Sequence, residues 1–238
     1  MPQGVEVRVL SWAKFIFIYF QPMQKICPSL RYPFDWEHRR PMFHNDVFFV
    51  PEYYTKHSSD KFTNLQTYFG NKNPMNIEYC SGNGEWIIDK ALKHPNINWI
   101  GVEMWFARVK KIYAKMIKNS LKNLLIVSGE GYAFTKNYLQ DCVIDNIFIN
   151  FPDPWPKDKH AKHRLIQQAF VLELKRIAKK NGTATFVTDS VAYKNQMLNE
   201  MIGWNKICYS QGDYGTSFFD RLWRSKGLEI HYLCYENS

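Results

Sequence analysis

From Asn73 onward the chain alternates short β-rich apolar runs with amphipathic helical segments, and this alternation limits the possible folds more than any other feature. Met75 to Cys80, Asn98 to Glu103, Leu124 to Ser128, Val143 to Ile149 and Thr183 to Thr188 read as five strands. Strands joined by helices pair in parallel, and the helices then cover both faces of the sheet. Helices are expected from about Glu85 to Lys93, Ala107 to Asn119, Tyr132 to Leu139, Leu165 to Lys179 and Ala192 to Met201. In the second of these, Val109, Ile112, Tyr113 and Met116 make a one-sided stripe with lysines elsewhere. Gly182 after Asn181 reads as a helix stop. Ile207 to Ser210 and Leu228 to Leu233 read as the last two strands, joined by a loop from Gln211 to Lys226. The expectation is an α/β fold with a largely parallel seven-stranded sheet and helices on both faces.

Residues 1–72 show no clean period and are broken by Pro22, Pro28, Pro33, Pro41 and Pro51. They read as an N-terminal extension that packs on the core or covers a site, leaving 73–238 as the main domain. The apolar stretch Leu10 to Phe20 is too short to span a bilayer and is interrupted by Lys14. A buried strand, a short helix or an upstream stretch of uncertain translation start would each account for it.

A formal net charge of +9 points to an anionic partner, nucleic acid ahead of a membrane surface. The five cysteines are scattered, with no Cys-x-x-Cys pair, which fits reduced thiols in a cytoplasmic protein better than disulfides or structural zinc.

In open α/β sheets ligands bind beyond the carboxyl ends of the strands, and four elements should meet there. The first is the turn containing Gly82 and Gly84 after Glu78, where glycine permits positive φ and close approach of backbone to a ligand. It lacks the third glycine of the dinucleotide fingerprint, and the chain has no phosphate-loop motif, so a plain structural turn stays open. The second is Glu103, where a strand-end carboxylate can accept ribose hydroxyls; a solvated glutamate is the alternative. The third is Glu130, placed to meet an adenine amino group or simply to form a turn with Gly129 and Gly131.

The fourth is the run Asn150 to Leu165, NFPDPWPKDKHAKHRL. Its closely spaced prolines Pro152, Pro154 and Pro156 exclude a helix interior or a central strand. The run therefore puts Asp153 and Trp155 on a stiff loop beside Lys157, Lys159, His160, Lys162, His163 and Arg164. A plainer reading has Asp153 capping the following helix or pairing with Lys157; a solvated face is the alternative for the cations, whose place beside the pocket favours phosphate contact. His160 and His163 have no third ligand at credible spacing, so no metal is expected.

These elements, in this order, resemble the tRNA (guanine-N7)-methyltransferases of the bacterial single-subunit type. The resemblance rests on Glu78 with Gly82-Asn83-Gly84, on Gly101-Val102-Glu103, and above all on Asn150 to Leu165. It covers roughly residues 73 to 235 and implies a Rossmann-like methyltransferase fold using S-adenosyl-L-methionine on tRNA, at guanosine 46 of the variable loop. Carried over residue by residue, Asp153 would be the catalytic or base-binding carboxylate. Glu78, Gly82, Gly84, Glu103 and Glu130 would bind the cofactor. Lys157, Arg164, Asp189, Thr216 and Arg221 would bind the tRNA or its guanine. The family implies a monomer or homodimer with no membrane or metal partner.

Three departures from the family pattern stand out. Cys80 replaces the first glycine of the cofactor loop, Glu130 replaces a shorter side chain near adenine, and Phe219 replaces a glutamate, with Asp220 one position off. In an extended segment that offset would turn the carboxylate to the other face. The competing reading is a non-catalytic RNA-binding protein derived from such an enzyme, favoured if Cys80 abolished cofactor binding.

Overall fold

The computed structural model describes residues 29–57, 65–209 and 214–238. The expectation for Leu10 to Phe20 lies outside the described residues. The strands are β1 (Met42–His44), β2 (Val47–Phe49), β3 (Met75–Tyr79), β4 (Asn98–Glu103), β5 (Leu124–Ser128), β6 (Ile144–Asn150), β7 (Ala178–Thr188), β8 (Asn205–Ile207) and β9 (His231–Glu236). The helices are α1 (Leu65–Phe69), α2 (Glu85–Lys93), α3 (Phe106–Lys118), α4 (Gly131–Tyr138), α5 (Gln168–Ile177), α6 (Val191–Glu200) and α7 (Phe218–Ser225).

All the described strands join one nine-stranded sheet in the order β1-β2-β5-β4-β3-β6-β7-β9-β8. Pairing is parallel from β2 to β7 and antiparallel at both edges. The class is the expected α/β, with two strands more than the seven read from the sequence. Both come from the N-terminal segment. Asn45 and Asp46 have φ of 50° and 58°, the two left-handed residues of a tight hairpin turn. That hairpin lays Val47–Phe49 beside Ile126–Ser128 with all three side chains buried.

The apolar stripes sort the helices onto two faces. Trp86, Ile87, Val109, Ile112 and Met116 of α2 and α3 pack with Trp99 and Ile126 on one side. Phe134, Phe170, Val171 and Tyr193 of α4, α5 and α6 pack with Ile77, Tyr79 and Val102 on the other. Successive residues of one strand, Trp99 and Ile100, thereby reach opposite cores.

Three local expectations are corrected. Asn181-Gly182 is not a helix stop but a bulge inside β7: Ile144 pairs with Ala178 and Asn146 with Thr183, and Asn181 has φ 62°. A Cβ on Gly182 would lie 2.8 Å from the Asp145 carbonyl oxygen, so the bulge needs glycine. The final strand runs His231–Glu236, later than Leu228 to Leu233. The expected loop from Gln211 to Lys226 contains helix α7, started by the Ser217 side chain accepting from the Asp220 N–H at 3.1 Å.

Strand order reverses at β3, with β4 on one side and β6 on the other. The crevice beyond their carboxyl ends is where such sheets bind ligands. Among the described residues no helix is long and apolar enough to cross a membrane.

Candidate active site

Beyond the ends of β3, β4 and β6 lies a cavity of about 740 Å³, within the range of small-molecule sites. Glu103, Glu130, Asp153, Arg164 and Asp189 of the expected site residues line it, together with Cys80, Arg108 and Phe219. Glu78, Gly82, Gly84, Lys157, Thr216 and Arg221 are not among its lining residues.

The wall after β3 is tightly hydrogen-bonded. Gly82 and Gly84 have φ of 55° and 77°, and the Gly82 N–H donates to Glu103 Oε2 at 2.8 Å. The Trp105 N–H donates to Glu103 Oε1, also at 2.8 Å, and an Arg108 guanidinium nitrogen lies 3.9 Å from Oε2. Burial pushes the Glu103 carboxyl above the usual carboxylate range, against the Trp105 N–H and Arg108. Lys115 reaches from α3 to donate to the Asn83 carbonyl at 2.6 Å and so fixes the glycine turn. A Cβ on Gly84 would meet Ile112 at 2.8 Å, which is why α2 and α3 approach so closely there.

Cys80 has φ 61°, a left-handed conformation that is strained for a side-chain-bearing residue. Burial raises its thiol pKa, with Glu103 and Glu78 adding to the rise, so the sulfur stays protonated. Beneath the turn, Glu78 is buried, and Oε1 accepts from Asn150 Nδ2 at 2.7 Å. Burial raises its pKa to about 7. Its Oε2 has no hydrogen-bond partner among the described residues. Tyr214 completes the chain by donating to Asn150 Oδ1 at 2.6 Å.

Glu130 caps α4: its oxygens accept from the Tyr132 and Ala133 N–H groups at 2.9 and 2.6 Å. This helix-capping role is neither of the two readings taken from the sequence, and a ligand would have to share the carboxylate with the helix.

The facing wall follows β6. Asp153 is exposed and neither caps a helix nor pairs with Lys157; Oδ1 accepts from the Trp155 N–H at 3.1 Å. Phe151 and Trp155 have φ of 50° and 41°, so this loop too is held in a sparsely populated conformation. Such strain persists only where neighbours impose it, and Arg164 is the neighbour. Its Nε donates to the Pro154 carbonyl at 2.7 Å, one terminal nitrogen to Gln196 Oε1 at 2.7 Å, and the other to the Trp155 carbonyl at 3.3 Å. The guanidinium also lies over the Tyr193 ring. With 6% of its surface exposed, Arg164 clamps the loop instead of facing a phosphate, which corrects the contact expected for it. Lys157, Lys159, Lys162 and His163 are exposed around a 3-10 helix spanning Asp158–His163.

The late signature lies on and before α7. Thr216 accepts from Arg221, and Arg221 is paired with Glu85 at the start of α2. Phe219 lines the cavity below Arg108, whereas Asp220 is buried and bonded to Arg224 and Tyr232. The segment is helical and not extended, and neighbouring side chains on a helix diverge by about 100°, so Asp220 turns into the structure and does not stand in for a glutamate at Phe219. The sequence reading passed over Arg108, Lys115 and Tyr214, and gave Asn150, named as the start of the proline run, no role of its own. Asn150, a polar residue ending an apolar strand just before the prolines, was the one with a visible signal. Among the described residues no cluster of His, Cys, Asp and Glu is placed to hold a metal ion.

A parallel sheet reversing at the strand followed by a glycine turn, with a carboxylate ending the next strand, defines a Rossmann-like fold, and the family match makes it that of a methyltransferase. Residues 72–211 match the family model described as "Putative methyltransferase". The 16S rRNA methyltransferase KamB superposes with a TM-score of 0.57 at 11% identity, covering 75% of this chain and 95% of that one, a likeness of fold alone. The chain is 42% identical over 211 residues to the tRNA (guanine-N(7)-)-methyltransferase of Chlamydia abortus, covering 86% of this chain and 94% of the relative. It is 43% identical over 209 residues to that of Chlamydia muridarum, covering 85% and 93%. The chain belongs to the tRNA (guanine-N(7)-)-methyltransferase family.

Proposed function

We propose that the protein transfers a methyl group from S-adenosyl-L-methionine to N7 of a guanine in tRNA, guanosine 46 of the variable loop, in the cytoplasm. The observation that carries this reading is the convergence of Glu103 and Asp153, from two different strand ends, on one cavity of about 740 Å³. The donor set fits the cofactor. The Glu103 carboxylate lines the cavity and has lone pairs left for ribose hydroxyls, whereas Glu78, buried behind this wall and outside the cavity lining, would act on a ligand through the glycine turn above it. The bound cofactor supplies an electrophilic methyl group.

Guanine N7 carries an in-plane lone pair, so no proton has to leave before it attacks. The work left to the protein is alignment and charge stabilisation. Positive charge builds on the base as the bond forms. The Asp153 carboxylate, with Asp189 on the same cavity, accepts guanine N–H bonds and stabilises that charge. Arg164 keeps Asp153 in place by clamping the carbonyls of the next two residues. Lys157, Lys159 and Lys162, exposed beside this wall, meet the phosphates of the RNA.

Purified protein incubated with cofactor and bulk tRNA, followed by mapping of methylated positions, tests the proposal. N7-methylguanosine at position 46 is the expected product. Methylation of a different atom or a different nucleic acid would overturn the assignment.

A further inference from the structure

A second, smaller cleft lies beside the cavity, lined by Tyr32, Trp36, Glu52, Met104 and Gly129 among others. Met104 and Gly129 also line the large cavity, so the two share a rim. The aromatic residues here divide by burial. Leu30 is buried in the core beside α2 and α3, Tyr32 stacks on Phe106 at 4.0 Å, and Phe34 meets Phe49 edge-on at 6.2 Å. These contacts anchor the N-terminal arm to the sheet. Trp36 adds little to that anchor: its ring is 5.6 Å from Tyr32 and 6.1 Å from Phe34, and it remains 52% exposed. Its backbone is nonetheless fixed, because the Arg39 guanidinium donates to the Trp36 carbonyl at 2.6 Å and to the Glu52 carbonyl at 3.2 Å. An exposed indole held on a clamped backbone is suited to receiving a flat partner.

The surroundings indicate which flat partner. Arg31, Arg40 and Lys110 are exposed on the same arm and on α3, with the Lys110 ammonium over Phe106. Of the nearby carboxylates, Asp35 is taken up by His38 at 2.9 Å, leaving Glu37 and Glu52 against three cations. Flat rings interleaved with cations suit an unpaired nucleotide, which offers a base to stack and a phosphate to neutralise.

We propose that Trp36, backed by Tyr32, stacks an unpaired nucleotide of the tRNA adjacent to the methylated guanine, with Arg31, Arg40 and Lys110 along its phosphates. The inference rests on the tRNA reading above. The shared rim sets the geometry: a base on Trp36 lies next to the cavity that takes the target base, so the strand is held on either side of the extruded guanine.

Two substitutions separate stacking from simple apolar cover. Trp36→Leu keeps the cover and removes the ring, whereas Trp36→Phe keeps both. Measured by tRNA Kd and by KM and kcat for tRNA, Trp36→Leu is expected to weaken binding and raise KM roughly tenfold. Cofactor Kd should be unchanged, and Trp36→Phe should recover most of the loss. Wild-type tRNA affinity and KM in the Trp36→Leu protein overturn the proposal, as does an equal loss in both variants, which would mark a role other than stacking. Neither result touches the methyl-transfer reading. That reading fails separately if the wild-type protein leaves tRNA unmethylated.

Discussion

The two walls of the cavity are built on opposite plans. After β3, both oxygens of Glu103 accept backbone N–H groups, the Asn83 carbonyl is held by Lys115, and Glu78 is buried below. After β6, Asp153 has one loop hydrogen bond and is exposed, and the lysines beyond it face solvent. Strained backbone occurs on both, at Cys80 on the first wall and at Phe151 and Trp155 on the second. Preorganisation reduces the cost of binding a small ligand, because little is ordered when it arrives. An open, cationic wall is completed only by a polyanion. Under the proposed function, this contrast assigns cofactor affinity to one wall and turnover on RNA to the other.

The sharpest way to break this division is Asp153→Ala. Losing a charge-stabilising group at the reacting base should lower kcat on tRNA by about 100-fold or more. Cofactor affinity, measured by calorimetry, should change less than about threefold, since Asp153 has no hydrogen bond to the Glu103 wall. A parallel collapse of cofactor binding would show that the walls are one unit. Next in size is Arg164→Ala. It removes donors from two loop carbonyls and from Gln196, and should cost roughly 2–3 kcal/mol in denaturant unfolding. It should also lower kcat while leaving the salt dependence of tRNA binding as it was. A shallower salt slope would instead make Arg164 a phosphate ligand.

A smaller effect probes the buried floor. Glu78 has a folded pKa of about 7 against 4.5 when free, so the fold resists its ionisation. Its contribution to stability is therefore present below about pH 4.5 and lost as pH rises through 7. In ligand-free protein, Glu78→Gln should flatten this dependence and raise Tm at pH 8 by a few degrees. The same variant should weaken cofactor binding at that pH. An unchanged slope of Tm against pH between 5 and 8 would mean Glu78 is already ionised in the folded protein.

What could be read in advance follows from how local each signal is. The five parallel core strands and the helices between them announce themselves through short-range periodicity, and β3 to β5 fall within a residue of expectation. The hairpin of β1 and β2 was missed because its strands are three residues each, too short to show alternation. Its Asn45-Asp46 turn was the usable clue. Asn181-Gly182 misled because the same pair that ends helices also makes a bulge, and only pairing with β6 and β9 distinguishes them. For the site, the residue types of Glu103 and Asp153 disclosed their place on the cavity. Burial of Arg164 was not legible, since an arginine among lysines and histidines looks solvated until Pro154, Trp155 and Gln196 are brought around it. For Phe219 and Asp220 the offset was legible and the carboxylate does face away from the cavity, but the segment is helical where an extended one was considered.

The mildest perturbation addresses the open wall itself. Lys157 and Lys162 flank the proline loop, are exposed, and pair with no carboxylate among the described residues. Replacing both with alanine should leave stability within about 0.5 kcal/mol, as expected for surface positions. Removing one phosphate-binding cation reduces the slope of log K against log salt by about 0.7 to 0.9. The double variant should therefore bind tRNA several-fold more weakly at low salt, with a slope shallower by roughly 1.5. At high salt the two proteins should converge, because released counterions no longer favour binding by the wild type. An unchanged slope in the Lys157→Ala/Lys162→Ala protein would take the phosphate track off this wall and leave it to the arm carrying Arg31 and Arg40 alone. The wall after β6 would then keep only the base contact at Asp153, and its description as a cationic RNA wall would fail.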